Sequence, residues 1–227
     1  MNNKLNHVAL ILDGNKRWAK KNKLSSVHGY TKGFKNIRNL VDYSLSIKLS
    51  NLTIFALSTE NFHRSSLNMI YQIIYDNFSK TFDELLNEKG VKINIIGSRE
   101  NLPKKVIDIF EQTENLSFNN KSLNLNIAFN YGFKDEIKKI INRIKNKNSN
   151  TNIKNNNDLN ELFSLGLLPD PDLLIRTGGY QRLSNFIMYN LTYTELFFTK
   201  TLWPDFTKKE YFSIIDKYLK INRKYGL

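Results

Sequence analysis

Four short stretches of this chain place groups capable of chemistry directly after apolar runs. Asp13-Gly14-Asn15, with Arg17 behind it, follows the run His7–Leu12. Ser58-Thr59-Glu60-Asn61, with Arg64 behind it, follows Leu52–Leu57. Asn130-Tyr131-Gly132 follows Leu123–Phe129, and Arg176-Thr177-Gly178-Gly179 follows Asp172–Ile175, with Arg182 and Ser184 close behind. One Asp-Gly-Asn alone reads as a turn, and one arginine alone as a surface residue. Four such clusters together read as a site. Guanidinium forks match phosphate oxygens bidentately, and glycine turns feeding helix N-termini present backbone N–H groups to an anion. Asp13 could share Mg²⁺ with the same oxygens, because Mg²⁺ is commonly held by one or two carboxylates plus substrate phosphates. The inventory therefore suits a diphosphate. No GxxxxGK[ST] loop occurs, which argues against a P-loop nucleotide site.

The elements that must position these clusters follow from periodicity. The four runs above and Val91–Ile96 are strand-length and rich in Val, Ile, Leu or Phe. Between them, Lys32–Ile47 and Asn68–Asn87 carry apolar residues at helical spacing, among them Phe34, Ile37, Ile70, Ile73, Ile74 and Phe78. Pro103 opens another helix, where its missing N–H costs nothing. Asp135–Asn146 and Lys208–Ile221 also read as helical. Continuous apolar strands alternating with helices predict an α/β fold with a central, mostly parallel sheet flanked by helices. In such a sheet the strand ends share one edge, where ligands bind. Residues 146–158 are almost wholly Asn, Lys, Ser and Thr and predict a mobile surface loop. The stripe Ile70, Ile73, Ile74 and Phe78 reads as core, or as the wall of an apolar channel.

Composition narrows the function classes. The 227 residues suit a single domain over 1–227, and 41% hydrophobic residues suffice for a core. A net charge of +13 implies an anionic partner. Cysteine is absent, which excludes disulfides and thiolate metal sites and fits a reducing cytoplasm. The short apolar run at the N-terminus lacks the build of a signal peptide. No stretch approaches the ~20 apolar residues of a membrane span, so a soluble protein, at most peripheral to a membrane, is expected. The lysines are scattered and no base-reading module is present, so nucleic acid is not expected as a partner. His7, His28 and His63 lack metal-binding spacing. Asp170 and Asp172, beside two prolines, read as turn and strand-start residues. Trp18 reads as a residue packed at the core edge.

Taken together, HVALILDGNKRWAKK, FALSTENFHR, LNIAFNYG, DLLIRTGGYQRLSNF and YTELFFTKTLWPDF closely resemble the cis-prenyltransferases, and among them the bacterial undecaprenyl diphosphate synthases. The resemblance spans essentially the whole chain apart from the Asn-rich loop. It implies Mg²⁺-dependent condensation of an allylic diphosphate, typically farnesyl diphosphate, with successive isopentenyl diphosphates. The product would be undecaprenyl diphosphate, the carrier-lipid precursor for cell-wall synthesis, or a shorter or longer polyprenyl diphosphate. A non-catalytic partner subunit of the same fold is the other reading, set against by the retained Asp13, Asn15, Arg17, Arg176 and Arg182. The resemblance further implies a cytoplasmic homodimer, peripheral contact with the plasma membrane for product release, and an elongated apolar tunnel between the sheet and two helices.

By motif, the resemblance makes Asp13 the magnesium-linked catalytic carboxylate and adds Asn61 as catalytic. Gly14, Asn15 and Arg17 would cradle the allylic diphosphate, with Lys16 and Trp18 in the same substrate-binding stretch. Ser58, Thr59, Glu60, Phe62 and Arg64 fall in the segment that orders the incoming unit. Arg176, Arg182 and Ser184 would hold isopentenyl diphosphate, and Glu195 would join Asp13 at the metal. For the departing proton, the motifs leave an amide, Ser58 or a diphosphate oxygen as acceptor. Four departures stand out. Ser26 and Gly29-Tyr30 replace an arginine and a Gly-His pair, with Lys23, His28 or Lys32 near enough in sequence to substitute. Phe62 stands where tryptophan is usual, and Tyr180-Gln181 where some members have an acidic residue and histidine. Asn222-Arg223-Lys224-Tyr225-Gly226 keeps part of a basic terminal motif.

Overall fold

The computed structural model describes residues 3–61, 67–87, 89–145 and 153–223. Among these, six strands form one sheet in the order β3-β4-β2-β1-β5-β6, and every pairing is parallel. The strands are β1 (His7–Ile11), β2 (Asn51–Ser58), β3 (Val91–Ile96), β4 (Leu123–Tyr131), β5 (Leu173–Arg176) and β6 (Glu195–Phe198). The helices are α1 (Asn15–Lys21), α2 (Ser26–Ser46), α3 (Leu67–Asn87), α4 (Lys104–Ser117), α5 (Phe133–Lys145), α6 (Asn156–Asn160) and α7 (Lys208–Leu219). The expected α/β class and the five apolar runs are all present.

Strand side chains divide between two cores because successive residues point to opposite faces. Val8, Leu10, Leu52 and Ile54 pack with Ile37 and Leu40 of α2, Ile74 and Phe78 of α3, Phe110 of α4 and Ile214 of α7. Ala9, Ile11, Phe55 and Leu174 pack on the other side with Leu165, Phe186 and Ile187. Burial of both faces explains why β1 and β5 are buried at every position and read as unbroken apolar runs. A row of buried and half-buried polar groups also crosses the sheet. Asn94 donates to Asn126 at 3.0 Å and Asn126 to Thr53 at 3.1 Å, while His7 Nε2 lies 2.7 Å from the Thr53 hydroxyl. His7 Nδ1 lies 2.6 Å from the Pro169 carbonyl, which fixes that nitrogen as the donor and Nε2 as the acceptor.

Four elements differ from expectation. α1 has no periodic apolar face, burying only Trp18 and Ala19. β6 is a half-exposed edge strand of four residues, too short to show alternation. Within the Asn-rich stretch, residues 146–152 lie outside the described residues, but the remainder does not form a loop throughout. The Asn155 side chain accepts from the backbone N–H groups of Asn157 and Asp158, a capping box that starts α6. Asparagine that cannot build a core is nonetheless a good helix cap. α2 also begins at Ser26, six residues before the apolar stripe predicts, with Ser25 as its N-cap residue.

Candidate active site

The strand order puts the site where chain direction diverges. From β1 the chain moves to β2 on one side, and β5, on the other side, leads to β6. A crevice opens outside the C-terminal ends of the strands at such a reversal. Asp13 follows β1 and Arg176 ends β5, so both meet there. The Asp13 backbone is held from two directions. Its N–H donates to the Thr177 hydroxyl at 3.0 Å, that hydroxyl donates back to the Asp13 carbonyl at 2.8 Å, and the Trp203 N–H reaches the same carbonyl at 3.0 Å. Gly14, at φ 126°, turns the chain from β1 into α1, a conformation glycine adopts without strain.

The Asp13 carboxylate is bound by two guanidinium groups. Oδ1 accepts from Arg17 at 2.9 Å and Oδ2 from Arg176 at 2.8 Å. Arg176 is 3% exposed, and it also donates to the Ser184 hydroxyl at 2.6 Å and to the Arg182 carbonyl. Arg17 donates to the Gly178 carbonyl at 2.5 Å. That approach needs a glycine: Gly178 has φ +86°, and a Cβ there would lie 2.4 Å from Arg17 Nη2. Tyr180 completes the cluster, its ring centroid 4.6 Å from the Arg17 guanidinium carbon and 4.5 Å from that of Arg182.

Asp13, Arg17, Arg176, Tyr180, Arg182 and Ser184 line a cleft of about 690 Å³ together with Gly14, Asn15, Lys16, Ser58, Glu60 and Asn61. Four cationic side chains face two carboxylates in it, so the cleft is electropositive. Leu12, Asn15, Tyr30 and Ala56 line both this cleft and an apolar cavity of about 80 Å³. The cavity lies between strands and the helices α2 and α3, with Phe34, Ile37, Ile70, Ile74, Phe78 and Phe110 among its walls. A register shift in the β2–β4 pairing between Phe55 and Leu57 leaves Ala56 exposed toward it within an otherwise buried strand, as bulges beside sites commonly do. Two buried polar atoms at the site lack a hydrogen-bond partner, Asn15 Oδ1 and Arg176 Nε.

The family model described as "Putative undecaprenyl diphosphate synthase" matches residues 11–226. The chain belongs to the cis-prenyltransferase family. Among curated relatives of this family, the "Isoprenyl transferase" of Aquifex aeolicus is 36% identical over 222 residues, covering 97% of this chain and 95% of the relative. The "Tritrans,polycis-undecaprenyl-diphosphate synthase (geranylgeranyl-diphosphate specific)" of Pyrobaculum aerophilum is 35% identical over 226 residues, with 97% and 95% covered. Among solved structures, lavandulyl diphosphate synthase from Lavandula x intermedia, in complex with dimethylallyl diphosphate, superposes with a TM-score of 0.92. It is 30% identical, and 98% of each chain is covered.

The cis-prenyltransferase cleft gathers Asp13, Gly14, Asn15, Lys16, Arg17, Ser58, Glu60, Asn61, Arg176, Arg182 and Ser184. Phe62 and Arg64 lie outside the described residues. Thr59 and Trp18 do not line the cleft. The Thr59 hydroxyl donates to Asp135 at 2.7 Å, and the buried Trp18 indole donates to Asp205 at 2.7 Å, at the core edge. Lys32 also donates to Asp205, at 2.9 Å. Burial works to raise the Asp205 pKa, but hydrogen bonds from Lys32 and Trp18, with the charges of Lys32 and Lys21, hold it below the usual value. Lys32 is thereby paired with Asp205 and does not line the cleft. Glu195 is not brought to Asp13 within the chain, because it pairs in register with Leu173 at the start of β5, whereas Arg176 ends that strand.

The Asn130-Tyr131-Gly132 cluster is likewise separate from the cleft. β4 lies two strands from β1, and its end is absorbed in local bonds: Asn130 donates to Ser98 at 3.0 Å and Tyr131 to Glu136 at 2.6 Å. Burial, reinforced by Glu136, pushes the Tyr131 pKa far up. Asp172 takes the strand-start role expected of it, accepting from the N–H groups of Asn6 and His7 at 2.6 and 3.0 Å. Asn185 was not foreseen. It lines the cleft, donates to Glu60 at 2.7 Å and accepts from the Lys134 N–H at 2.9 Å. Its left-handed φ of 61° follows that of Ser184 at 52°, and the Ser-Asn pair after Arg182 was the available signal.

A divalent cation fits this donor set in one way. Among the described residues, no group of three or more His, Asp or Glu could hold a metal by themselves. Asp13 and Glu60 are hard oxygen donors in the cleft, and the Asp13 side chain is 26% exposed. A cation bound there would complete its shell from substrate phosphates, as Mg²⁺ commonly does.

Proposed function

We propose that the protein condenses an allylic diphosphate, farnesyl diphosphate, with successive isopentenyl diphosphates in a Mg²⁺-dependent reaction that builds undecaprenyl diphosphate. The observation that carries this reading is the junction at Leu12, Asn15, Tyr30 and Ala56, where the electropositive cleft meets the apolar cavity. A molecule with a diphosphate head and a hydrocarbon tail matches both compartments at once.

Arg17 and Lys16 hold the allylic diphosphate; Arg176, Arg182 and Ser184 hold the isopentenyl diphosphate. Asp13 would hold Mg²⁺, which would supply neutralising charge for a departing diphosphate. The two guanidinium groups now on Asp13 then turn to substrate oxygens, so the carboxylate stands between the two subsites. Fixed positive groups stabilise the leaving charge as it develops, and holding the isopentenyl double bond against the allylic carbon supplies proximity. Ser58 and Asn61, beside the junction, order the incoming unit. The apolar walls exclude water from the cation-like carbon.

Two further features, an exposed apolar sheet edge and the net charge, support a homodimer in contact with a membrane surface. Exposed Leu196 lies on the edge strand β6 beside Glu195, and exposed Tyr193 lies in the segment just before it, as a homodimer contact would require. Among the described residues no helix is long and apolar enough to cross a membrane. The net charge of +13 favours contact with an anionic lipid surface, where the product is handed over.

Incubation with radiolabelled isopentenyl diphosphate, farnesyl diphosphate and Mg²⁺, followed by chromatographic sizing of the lipid, tests the reading. Products extending in five-carbon steps to undecaprenyl diphosphate are expected; absence of isopentenyl incorporation rejects it. A shorter product is the second reading. It is favoured by the cavity of about 80 Å³, small beside the roughly 300–1,000 Å³ of sites that enclose a drug-sized ligand.

A further inference from the structure

Tyr180 lines the cleft without a part in the chemistry above. It follows Gly178 and Gly179, both in left-handed conformations at φ +86° and +82°, which bring the chain back over the site. Its ring centroid lies 4.6 Å from the guanidinium carbon of Arg17, 4.5 Å from that of Arg182 and 5.8 Å from that of Arg176. Three like charges around one ring repel one another. Asp13 compensates Arg17 and Arg176, but among the described residues no carboxylate is paired with Arg182. An aromatic face attracts a guanidinium and lets it stack flat. A carboxylate at this place would also order the arginines, at the cost of part of their positive charge. A neutral ring orders them and leaves their charge available.

We propose that Tyr180 is a positioning residue that holds Arg17 and Arg182 against one ring and so links the allylic and isopentenyl diphosphate subsites. This role rests on the assignment of those subsites above. A diphosphate that fixes Arg17 fixes the ring, and the fixed ring leaves Arg182 less freedom to lose. By linkage the effect runs equally in the other direction. The ring therefore replaces a direct charge contact between subsites with a steric and quadrupolar one.

Tyr180→Leu removes the ring and Tyr180→Phe keeps it without the hydroxyl. Steady-state kinetics with farnesyl and isopentenyl diphosphates, together with calorimetric binding of inorganic pyrophosphate, compare both with wild type. Tyr180→Leu is expected to raise KM for isopentenyl diphosphate and weaken pyrophosphate binding on the order of tenfold, with kcat less affected. Tyr180→Phe restores both. Because Tyr180 is 45% exposed, the melting temperature should stay the same in all three, which a merely structural role would not give. Wild-type values in Tyr180→Leu, or a Tyr180→Phe defect as large as that of Tyr180→Leu, overturn the role alone. Failure of the wild type itself to bind pyrophosphate or incorporate isopentenyl units overturns the functional reading and this role with it.

Discussion

Removing the Asp13 carboxylate should separate its electrostatic work from its chemistry. The Arg176 side chain is 4% exposed and its ion pair with Asp13 spans 2.8 Å, while Asp13 is 26% exposed. Breaking a fully buried pair from one side costs about 3–5 kcal/mol, and an exposed pair is worth about 0–1 kcal/mol. Arg176 keeps the Nη1 bonds to Ser184 and to the Arg182 carbonyl, but its Nη2 loses the Asp13 acceptor and its charge loses its counterion. The partial exposure of Asp13 places the cost near 2 kcal/mol, between those limits. For a chain of this length that is a fall in melting temperature of about 4–8 °C.

The same reasoning predicts a rescue. In Asp13→Ala the Arg17 and Arg176 guanidinium groups face the cleft without their carboxylate, so an added anion should bind more tightly than in the wild type. Thermal unfolding in Mg²⁺-free buffer, with and without millimolar inorganic pyrophosphate, reads both effects, because a ligand that binds only the folded state raises the melting temperature. Asp13→Asn separates charge from shape and should behave as Asp13→Ala does. Both variants should fold yet lose nearly all turnover with farnesyl and isopentenyl diphosphates. Melting at the wild-type temperature, or a pyrophosphate-induced rise no larger than that of the wild type, would refute the argument.

Two further outcomes are expected. Phe78, 4% exposed and 5.7 Å from Phe110 between ring centroids, closes part of the apolar cavity. Phe78→Ala should shift the chromatographic product distribution toward longer chains at a stability cost of about 3–5 kcal/mol; an unchanged distribution removes this wall from length control. The His7 pKa is lowered below its usual 6.5 by burial, against the opposing Pro169 hydrogen bond and the charges of Asp172 and Asp170. Above pH 6.5 the neutral ring's contribution is fully present; as pH falls through 6.5 toward the folded-state value, the unfolded chain takes up a proton first and stability is lost. Denaturant melts should show a decline of at most ~1.4 kcal/mol per pH unit from this group, which His7→Gln abolishes; an identical pH slope in the variant refutes it.

The parallel sheet made much of the site readable from the sequence. Once apolar runs are assigned to parallel strands, the residues that follow β1, β2 and β5 must share an edge, and Asp13, Ser58 and Arg176 do. Lateral order across the sheet has no such local signal. Asn130 and Tyr131 occupy the same edge as Asp13, but two strands away, and Glu195 lies at the opposite end of its strand from the cleft. β6 escaped because four half-exposed residues carry no period, and α1 because it has no apolar face and is held by the Arg17–Asp13 pair and the Trp18–Asp205 bond. Tyr180 and Asn185 enter the cleft through left-handed backbone at Gly178, Gly179, Ser184 and Asn185, a path that side-chain patterning does not encode.

The bond between Asp13 and Thr177 joins residues 164 positions apart. On the ribosome, the aspartate emerges long before either Thr177 or Arg176 has been translated. A nascent chain that has completed β1 through β4 therefore carries half of an anion trap and no counterpart for its carboxylate. Closure at so large a sequence separation is entropically late in folding. Both sides of the anion cleft exist only after Thr177 of the 227 residues has been made, and a chain terminated before β5 should be unable to bind pyrophosphate.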